Sequence, residues 1–110
     1  MHYLVQMTLA PHARASTAAE GAALIEQFIL PTLDLCRKLH DEKKILAGSP
    51  MSGTVGIVLI VNAESALELD DLIMNLPLWP FMETEVTSLT TFEGRAEVLR
   101  PKLERLKAAH

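Results

Sequence analysis

The stretch Asn75-Leu76-Pro77-Leu78-Trp79-Pro80-Phe81-Met82-Glu83-Thr84-Glu85-Val86 marks the point where a helical pattern gives way to a strand. Two prolines three residues apart cannot both lie in a helix interior, because proline lacks the amide donor and clashes with the preceding turn. We expect the chain to run as a strand from Phe81 to Phe92. The stretch therefore predicts a helix that ends before Pro77 and a final strand that follows it.

Three further strands are predicted on the amino-terminal side of this junction. Residues 2–9 alternate with period two, which is typical of a strand that presents two different faces. Residues 54–61 are almost wholly apolar and β-branched, which predicts a strand buried on both faces. Gly56 within it indicates a bulge or a close approach. Residues 44–47 are long enough for a short strand between these two.

Two helices are predicted between the strands. The first begins after Ser16 or Thr17, with Glu20 placed as in a capping box, and fades near His40. Pro31 predicts a kink or two abutting helices. The second follows a cap at Asn62. The apolar positions recur at helical spacing, at 22, 25, 29, 33, 36 and 39 in the first helix and at 66, 69, 73 and 76 in the second.

The predicted order is βαββαβ in one domain over residues 1–110, with a core over about 1–92 and a helical tail over about 94–109. Gly94 is expected to separate the tail from the last strand. This order is typical of an α+β, ferredoxin-like fold with an antiparallel sheet, in which the first and third strands are central and the fourth lies beside the first. Helices then cover one face only, so we expect a second copy of the chain to cover the other.

Composition restricts the classes of function. The net charge of −4 lacks the basic surface that nucleic-acid binding needs, so we expect no nucleic-acid partner. The longest apolar run, 55–61, is too short to span a membrane, and no signal peptide is evident. Half of the residues (49%) are hydrophobic, which favours apolar surface covered by a homo-oligomeric partner. With a single cysteine, a cytoplasmic location is the default expectation.

Residues 75–86 resemble the segment of the muconolactone isomerase family that joins the second helix to the last strand, in which Leu-Pro-Leu, an aromatic, Pro, an aromatic and Met precede acidic residues. Residues 5–8, Val-Gln-Met-Thr, resemble the family's first strand, and Gly53 and Asp71 fall in register. The resemblance extends to about Leu89, and the tail from Gly94 onward is unlike the family. Gln6 stands where the family strand usually carries lysine.

The resemblance implies a dimeric α+β barrel, assembly of dimers into larger rings, and cofactor-free isomerisation of a small unsaturated lactone in aromatic-compound catabolism. Such a reaction moves a proton between carbons, so it needs a general base and a group that stabilises an enolate oxygen. The family places a glutamate at the position of Glu85. We therefore assign Glu85 as the base and Gln6 as the assisting donor.

The other predicted site residues surround this pair. By alternation, Glu83 and Glu85 lie on one side of the last strand, the side that Gln6 and Thr8 share on the first strand, and this side faces the barrel interior. Trp79 and Phe81 either wall the pocket or pack between subunits. Glu83, Thr8, Trp79 and Phe81 are accordingly predicted to bind substrate. The alternative for the two glutamates is a solvated edge-strand charge that discourages aggregation.

Other reactive residue types give weaker signals. Cys36 lies on an apolar helix face, where a free cysteine is usually a small core residue, although Arg37 and His40 are near it in sequence. His12 and Arg14 lie in a loop beside the expected pocket mouth. The histidines lack metal-ligand spacing, so no metal site is predicted. A second hypothesis stays open: a non-catalytic oligomeric module that holds a small hydrophobic molecule, since residues 45–50 and 55–58 supply no cation.

Overall fold

The computed structural model describes residues 1–109 and has the predicted order of elements. The four strands are β1 (His2–Leu9), β2 (Ile45–Pro50), β3 (Gly56–Asn62) and β4 (Met82–Leu89). The helices are α1 (Ala18–Leu24), α2 (Leu30–Asp41), α3 (Ala66–Met74) and α4 (Phe92–Ala108). A π-helical turn, Ile25–Ile29, joins α1 to α2, and short 3₁₀ turns occupy Pro11–Ala13 and Trp79–Phe81.

The strands form one antiparallel sheet in the order β2-β3-β1-β4. β1 is central: Val5 lies opposite Leu59 of β3 and opposite Val86 of β4. β2 and β4 form the two edges. The α+β, ferredoxin-like prediction is therefore confirmed, with the first and third strands central and the fourth beside the first.

The helices pack on one face of this sheet. Alternate residues of β1 and β3 face them and are almost fully buried, whereas their neighbours along each strand are only half-buried. Helix α3 contributes Leu69 and Ile73 to the same core, and Leu76 follows them. The strand residues of this core are Tyr3, Val5, Met7, Ile45, Ile57, Leu59 and Val61. β3 is therefore not buried on both faces within one chain, because nothing in residues 1–109 covers the second face.

The π turn resolves the conflict that Pro31 creates in the first helical segment. The π turn ends at Ile29, immediately before α2 begins. Pro31 therefore lies in the first turn of α2, where a missing amide donor is tolerated. The extra residue in this turn also rotates the buried face. Two residues of the predicted apolar face are exposed to solvent, Ile25 by half and Leu33 by more than one-third. Thr32, Cys36 and Leu39 are buried.

Four predicted boundaries or markers were wrong, each for a local reason. β2 continues through Pro50, which an edge strand tolerates because its outer side needs no amide donor. Gly94 does not separate β4 from α4, because it lies inside α4. Its N–H donates to Thr91 Oγ1 at 2.9 Å, and this bond caps α4 two residues after Leu89. Ser65, rather than Asn62, caps α3. β4 ends at Leu89 rather than at Phe92, because Phe92 is the first residue of α4.

Gly56 marks a close approach rather than a bulge. A side chain there would place its first carbon 2.7 Å from Met51 Sδ and 3.0 Å from the Met7 carbonyl oxygen. The irregularity in the sheet lies instead in β2, between Ile45 and Ala47. Within residues 1–109, no helix combines the length and apolarity needed to cross a membrane.

A buried hydrogen bond joins α2 to the segment between α3 and β4. The Leu78 N–H donates to Thr32 Oγ1 at 2.9 Å, and Thr32 is only 2% exposed. We predict that Thr32→Val, which keeps the shape but leaves this N–H without an acceptor, lowers the free energy of unfolding by about 1–3 kcal/mol. Urea denaturation measures this difference. The exposed Thr90→Val is the control, and an equal effect in both variants would show that the Thr32 bond contributes nothing specific.

The buried thiol gives a second prediction. Burial raises the pKa of the Cys36 thiol to about 11 from its ordinary value of 9.0, because desolvation disfavours the thiolate. The thiolate fraction at pH 8 is therefore about 100-fold lower than that of a free cysteine. We expect alkylation by iodoacetamide to be slower by at least this factor until the chain unfolds in urea. Rapid alkylation of the folded protein would contradict the burial seen here.

Candidate active site

The predicted base and its assisting donor lie side by side on the open face of the sheet, the face without helices. In the sheet register Gln6 of β1 lies directly opposite Glu85 of β4, and Thr8 lies directly opposite Glu83. Side chains of directly opposed residues point to the same face, with Cβ atoms about 4.5–5.5 Å apart. The structure therefore brings four of the six predicted site residues into one polar cluster.

The open face also has an apolar half next to this cluster. On the other side of β1, Gln6 lies opposite Val58, and Leu4 lies opposite Ile60, which in turn pairs with Ala47 of β2. Leu4, Val58 and Ile60 are half-buried in the single chain. A ligand on this face therefore meets carboxylates and an amide at the β4 side and aliphatic side chains at the β3 side.

No lysine or arginine contributes to the open face within the described strands. The residues that share this face on β1 and β4 are His2, Leu4, Gln6, Thr8, Glu83, Glu85, Thr87 and Leu89. β2 and β3 add Ala47, Ser49, Gly56, Val58, Ile60 and Asn62. Glu83 and Glu85 are exposed to solvent in the single chain, whereas Gln6 and Thr8 are half-buried. The charge that one chain presents here is therefore negative.

The two predicted aromatic site residues lie apart from this cluster. Trp79 packs against the helix-side core. The Phe81 ring meets that of Phe28 edge to face, with centroids 4.6 Å apart, and thereby helps to anchor the π turn. Neither side chain shares the open face with Glu85 within one chain, so the structure does not join Trp79 and Phe81 to the polar cluster.

Phe81 instead lines a wide surface depression together with His12 and Arg14. This depression, of about 410 Å³, also contains Glu20 and Phe28. The sequence predicted that these two loop residues lie near a pocket mouth, and the structure places them beside an aromatic wall. The loop starts after β1, at the same end of the sheet as Thr8 and Glu83.

An apolar cavity that the sequence did not reveal lies between α2 and the sheet. It measures about 150 Å³ and is lined by residues that include Thr32, Gly56, Leu78 and Met82. No residue pattern in the sequence indicates this cavity, and Gly56 contributes only backbone atoms to its wall. On the helix side of β4, Thr84 Oγ1 is buried without a hydrogen-bond partner among the described residues.

The remaining reactive side chains do not assemble a second centre in the described part of the chain. Cys36 lines a cavity of about 230 Å³ with His40 and Ser49, but its raised pKa opposes the nucleophilic thiolate. Across residues 1–109, no three His, Cys, Asp or Glu side chains lie close enough to hold a metal ion. The paired polar residues of β1 and β4 are therefore the strongest candidate site.

Comparison with known proteins agrees with this architecture. The chain is similar in structure to muconolactone isomerase, with a TM-score of 0.66 and 25% identity over 83% of this chain and 90% of that one. It shares its fold with a 5-chloro-2-hydroxyhydroquinone dehydrochlorinase from Burkholderia phenoliruptrix AC1100, with a TM-score of 0.62 and 20% identity over 86% and 98% of the two chains.

A search of curated proteins returned no match. The model of the muconolactone delta-isomerase family, however, matches residues 1–94, which include every strand and the paired polar residues of β1 and β4. With the sheet order and the match to a solved muconolactone isomerase already in place, this chain belongs to the muconolactone delta-isomerase family.

Proposed function

We propose that this protein isomerises a small unsaturated lactone in the breakdown of aromatic compounds, with Glu85 as general base. The observation that carries the proposal is the direct pairing of Gln6 with Glu85 on the open face, in a member of the muconolactone delta-isomerase family. A base and a hydrogen-bond donor side by side are the two groups that a proton shift next to a carbonyl requires.

The proposed reaction needs one proton to leave and return. The Glu85 carboxylate removes a proton from a carbon whose carbanion is conjugated with the lactone carbonyl. The electron pair is thereby delocalised into an enolate. The Gln6 side-chain N–H donates to the enolate oxygen and stabilises the charge that develops there. Protonated Glu85 then returns the proton to a different carbon, so the double bond shifts and the enzyme ends in its starting state.

The charge of the open face favours an uncharged lactone over an anionic one. Glu83 and Glu85 lie beside the ligand position, and within the described strands no lysine or arginine shares that face. A substrate carboxylate would meet like charges there, which costs free energy at short range in a site shielded from water. We therefore propose a neutral substrate whose aliphatic part contacts Val58 and Ile60.

A second copy of the chain is proposed to close this site. The open face combines half-buried Leu4, Val58 and Ile60 with a polar row, and a single sheet leaves all of them next to water. Two such sheets packed face to face would bury the aliphatic residues and exclude solvent from the reacting carbons. The dimeric barrel is thus part of the proposed mechanism as well as of stability.

The aliphatic half of the face also favours a second candidate, an oligomeric module that holds a small hydrophobic molecule without converting it. In that case Leu4, Val58 and Ile60 would bind the ligand, and Glu85 would remain a solvated or interface charge. The two candidates differ in whether the protein converts its ligand, with Glu85 as the base, or only binds it. Both need the closed barrel.

We predict that Glu85→Gln lowers kcat on a neutral unsaturated lactone by about 100-fold or more, because removal of a general base typically costs 10²–10⁴-fold. Turnover of a panel of neutral and carboxylated lactones is monitored by the loss or gain of absorbance from the conjugated double bond. It measures the change in kcat and the preference for neutral over charged substrates. Glu26→Gln, an exposed change on the helix side, is the matched control. Full turnover by Glu85→Gln would remove Glu85 from the mechanism, and binding without turnover by the wild type would favour the module.

We predict that Val58→Lys weakens the sheet-face dimer by about 30-fold or more, which corresponds to about 2 kcal/mol, because it places a charge in an apolar interface. Sedimentation velocity over a range of concentrations measures the change. Gln27→Lys, an exposed substitution on the helix side, should leave the dimer intact. If both variants associate as the wild type does, the open face is not the interface.

A further inference from the structure

Helix α4 is a structural addition to the family unit and makes no extensive contact with any other element within residues 1–109. The family model ends at residue 94, just inside α4, and none of the α4 residues is buried. The chain is 67 Å long against 30 and 24 Å in the other directions. Its radius of gyration is 18.6 Å, where a compact chain of this length has about 13 Å. α4 therefore projects from the domain.

One side of α4 carries an apolar stripe that a solvated helix does not need. Ala96, Leu99, Leu103 and Leu106 follow the three-four-three spacing of a helix seam. The three leucines of the stripe are 48–61% exposed. The stripe lines an open groove together with Arg100 and Lys102. A stripe of this kind indicates a docking surface.

The charges beside the stripe indicate which surface it fits. Arg100 and Lys107 lie along one side of it and Arg95 and Lys102 along the other. From Phe92 onward the chain holds five of its ten Lys and Arg residues and only three of its fourteen Asp and Glu residues. Two copies of α4 paired along this stripe would bring like charges together. An acidic partner surface avoids this repulsion.

Helix α3 presents such an acidic surface. Its inner side buries Leu69 and Ile73, and its outer side carries Leu67 and Met74, which are 80% and 54% exposed. Acidic residues flank these two on both sides, with Asp70 on one side and Asp71 on the other. No lysine or arginine occurs between residues 64 and 75, although Lys38 and Lys44 line the same depression as Asp71. The outer side of α3 therefore complements the stripe in both apolarity and charge.

The stripe cannot reach the outer side of α3 in its own chain. Only Thr90 and Thr91 separate β4 from α4, and the side chain of Thr91 caps the helix. A link from Leu89 to Phe92 spans at most about 11 Å. A helix that packs on the outer side of α3 lies nearly 20 Å from the sheet, because each packed layer adds about 8–10 Å. A second copy is free of this restriction.

We propose that α4 of one copy docks on the outer side of α3 of a second copy, with the leucine stripe against Leu67 and Met74 and the α4 cations against Asp70 and Asp71. The two surfaces match in length, since nine residues of α3 and eleven of the stripe each extend about 13–16 Å. This contact lies on the helix side, opposite to the sheet face, so it is an interface separate from the proposed barrel.

Hydrogen exchange tests the proposal on the full-length protein. In the wild type, α4 amides should be protected more strongly as protein concentration rises. Asp70→Lys with Asp71→Lys, which leaves α4 unchanged, should speed α4 exchange by about 10-fold or more through the loss of close charge pairs. Adding Arg100→Glu and Lys102→Glu to that variant should restore protection. Glu26→Lys with Asp34→Lys is the control of equal charge and should leave α4 exchange unchanged.

Carbodiimide cross-linking of a mixture of ¹⁴N- and ¹⁵N-labelled protein shows whether the contact joins two chains. The expected product joins Lys102 to Asp70 or Asp71 in peptides of mixed label. Cross-links of a single label only, α4 exchange that ignores concentration, or α4 protection that ignores the α3 charge reversal would each overturn the proposal. Val58→Lys separates the two interfaces, because it should weaken the barrel and leave the mixed-label cross-link in place.

Discussion

The four-stranded sheet is covered by helices on one face only, and the rest of the molecule is arranged around this asymmetry. On the covered face β1 and β3 bury Val5, Leu59 and Val61 almost completely, and this packing supplies the core. On the open face the same strands carry Gln6, Thr8 and Val58, which one chain leaves half-buried. Because side chains alternate along a strand, a single strand such as β1 serves both faces, so the core fixes the position of the proposed site.

The central position of β1 makes the candidate site well defined. Gln6 is held between Val58 on one side and Glu85 on the other by two antiparallel ladders. Rigid strands of this kind position functional groups better than loops do, which suits a proton shift that depends on alignment. Gln6 is uncharged where the resemblance to the family implies lysine, which is consistent with the proposed site for a neutral ligand.

The proposed self-association combines two surfaces of different character. The sheet face is polar at β4 and aliphatic at β3, and closing it would complete the site. The helix side pairs a basic, leucine-rich α4 with an acidic α3, and joins copies without touching the reacting groups. Each surface leaves apolar side chains in water within one chain, as at Ile60 on the sheet face and Leu103 on α4. The two proposed interfaces would account for the high hydrophobic fraction of this small chain.

Local sequence patterns determined the order of elements, the antiparallel ferredoxin-like sheet and the shared side of Gln6 and Glu85, because alternation and proline act through the backbone itself. They also identified the capping box of α1, in which the Glu20 N–H donates to Thr17 Oγ1. Tertiary structure alone decided the rest. The π turn shifted the buried face from Ile25 to Thr32, packing placed Trp79 against the core, and the edge position of β2 allowed Pro50 in a strand. These outcomes depend on neighbours distant in sequence, which a pattern along one segment does not contain.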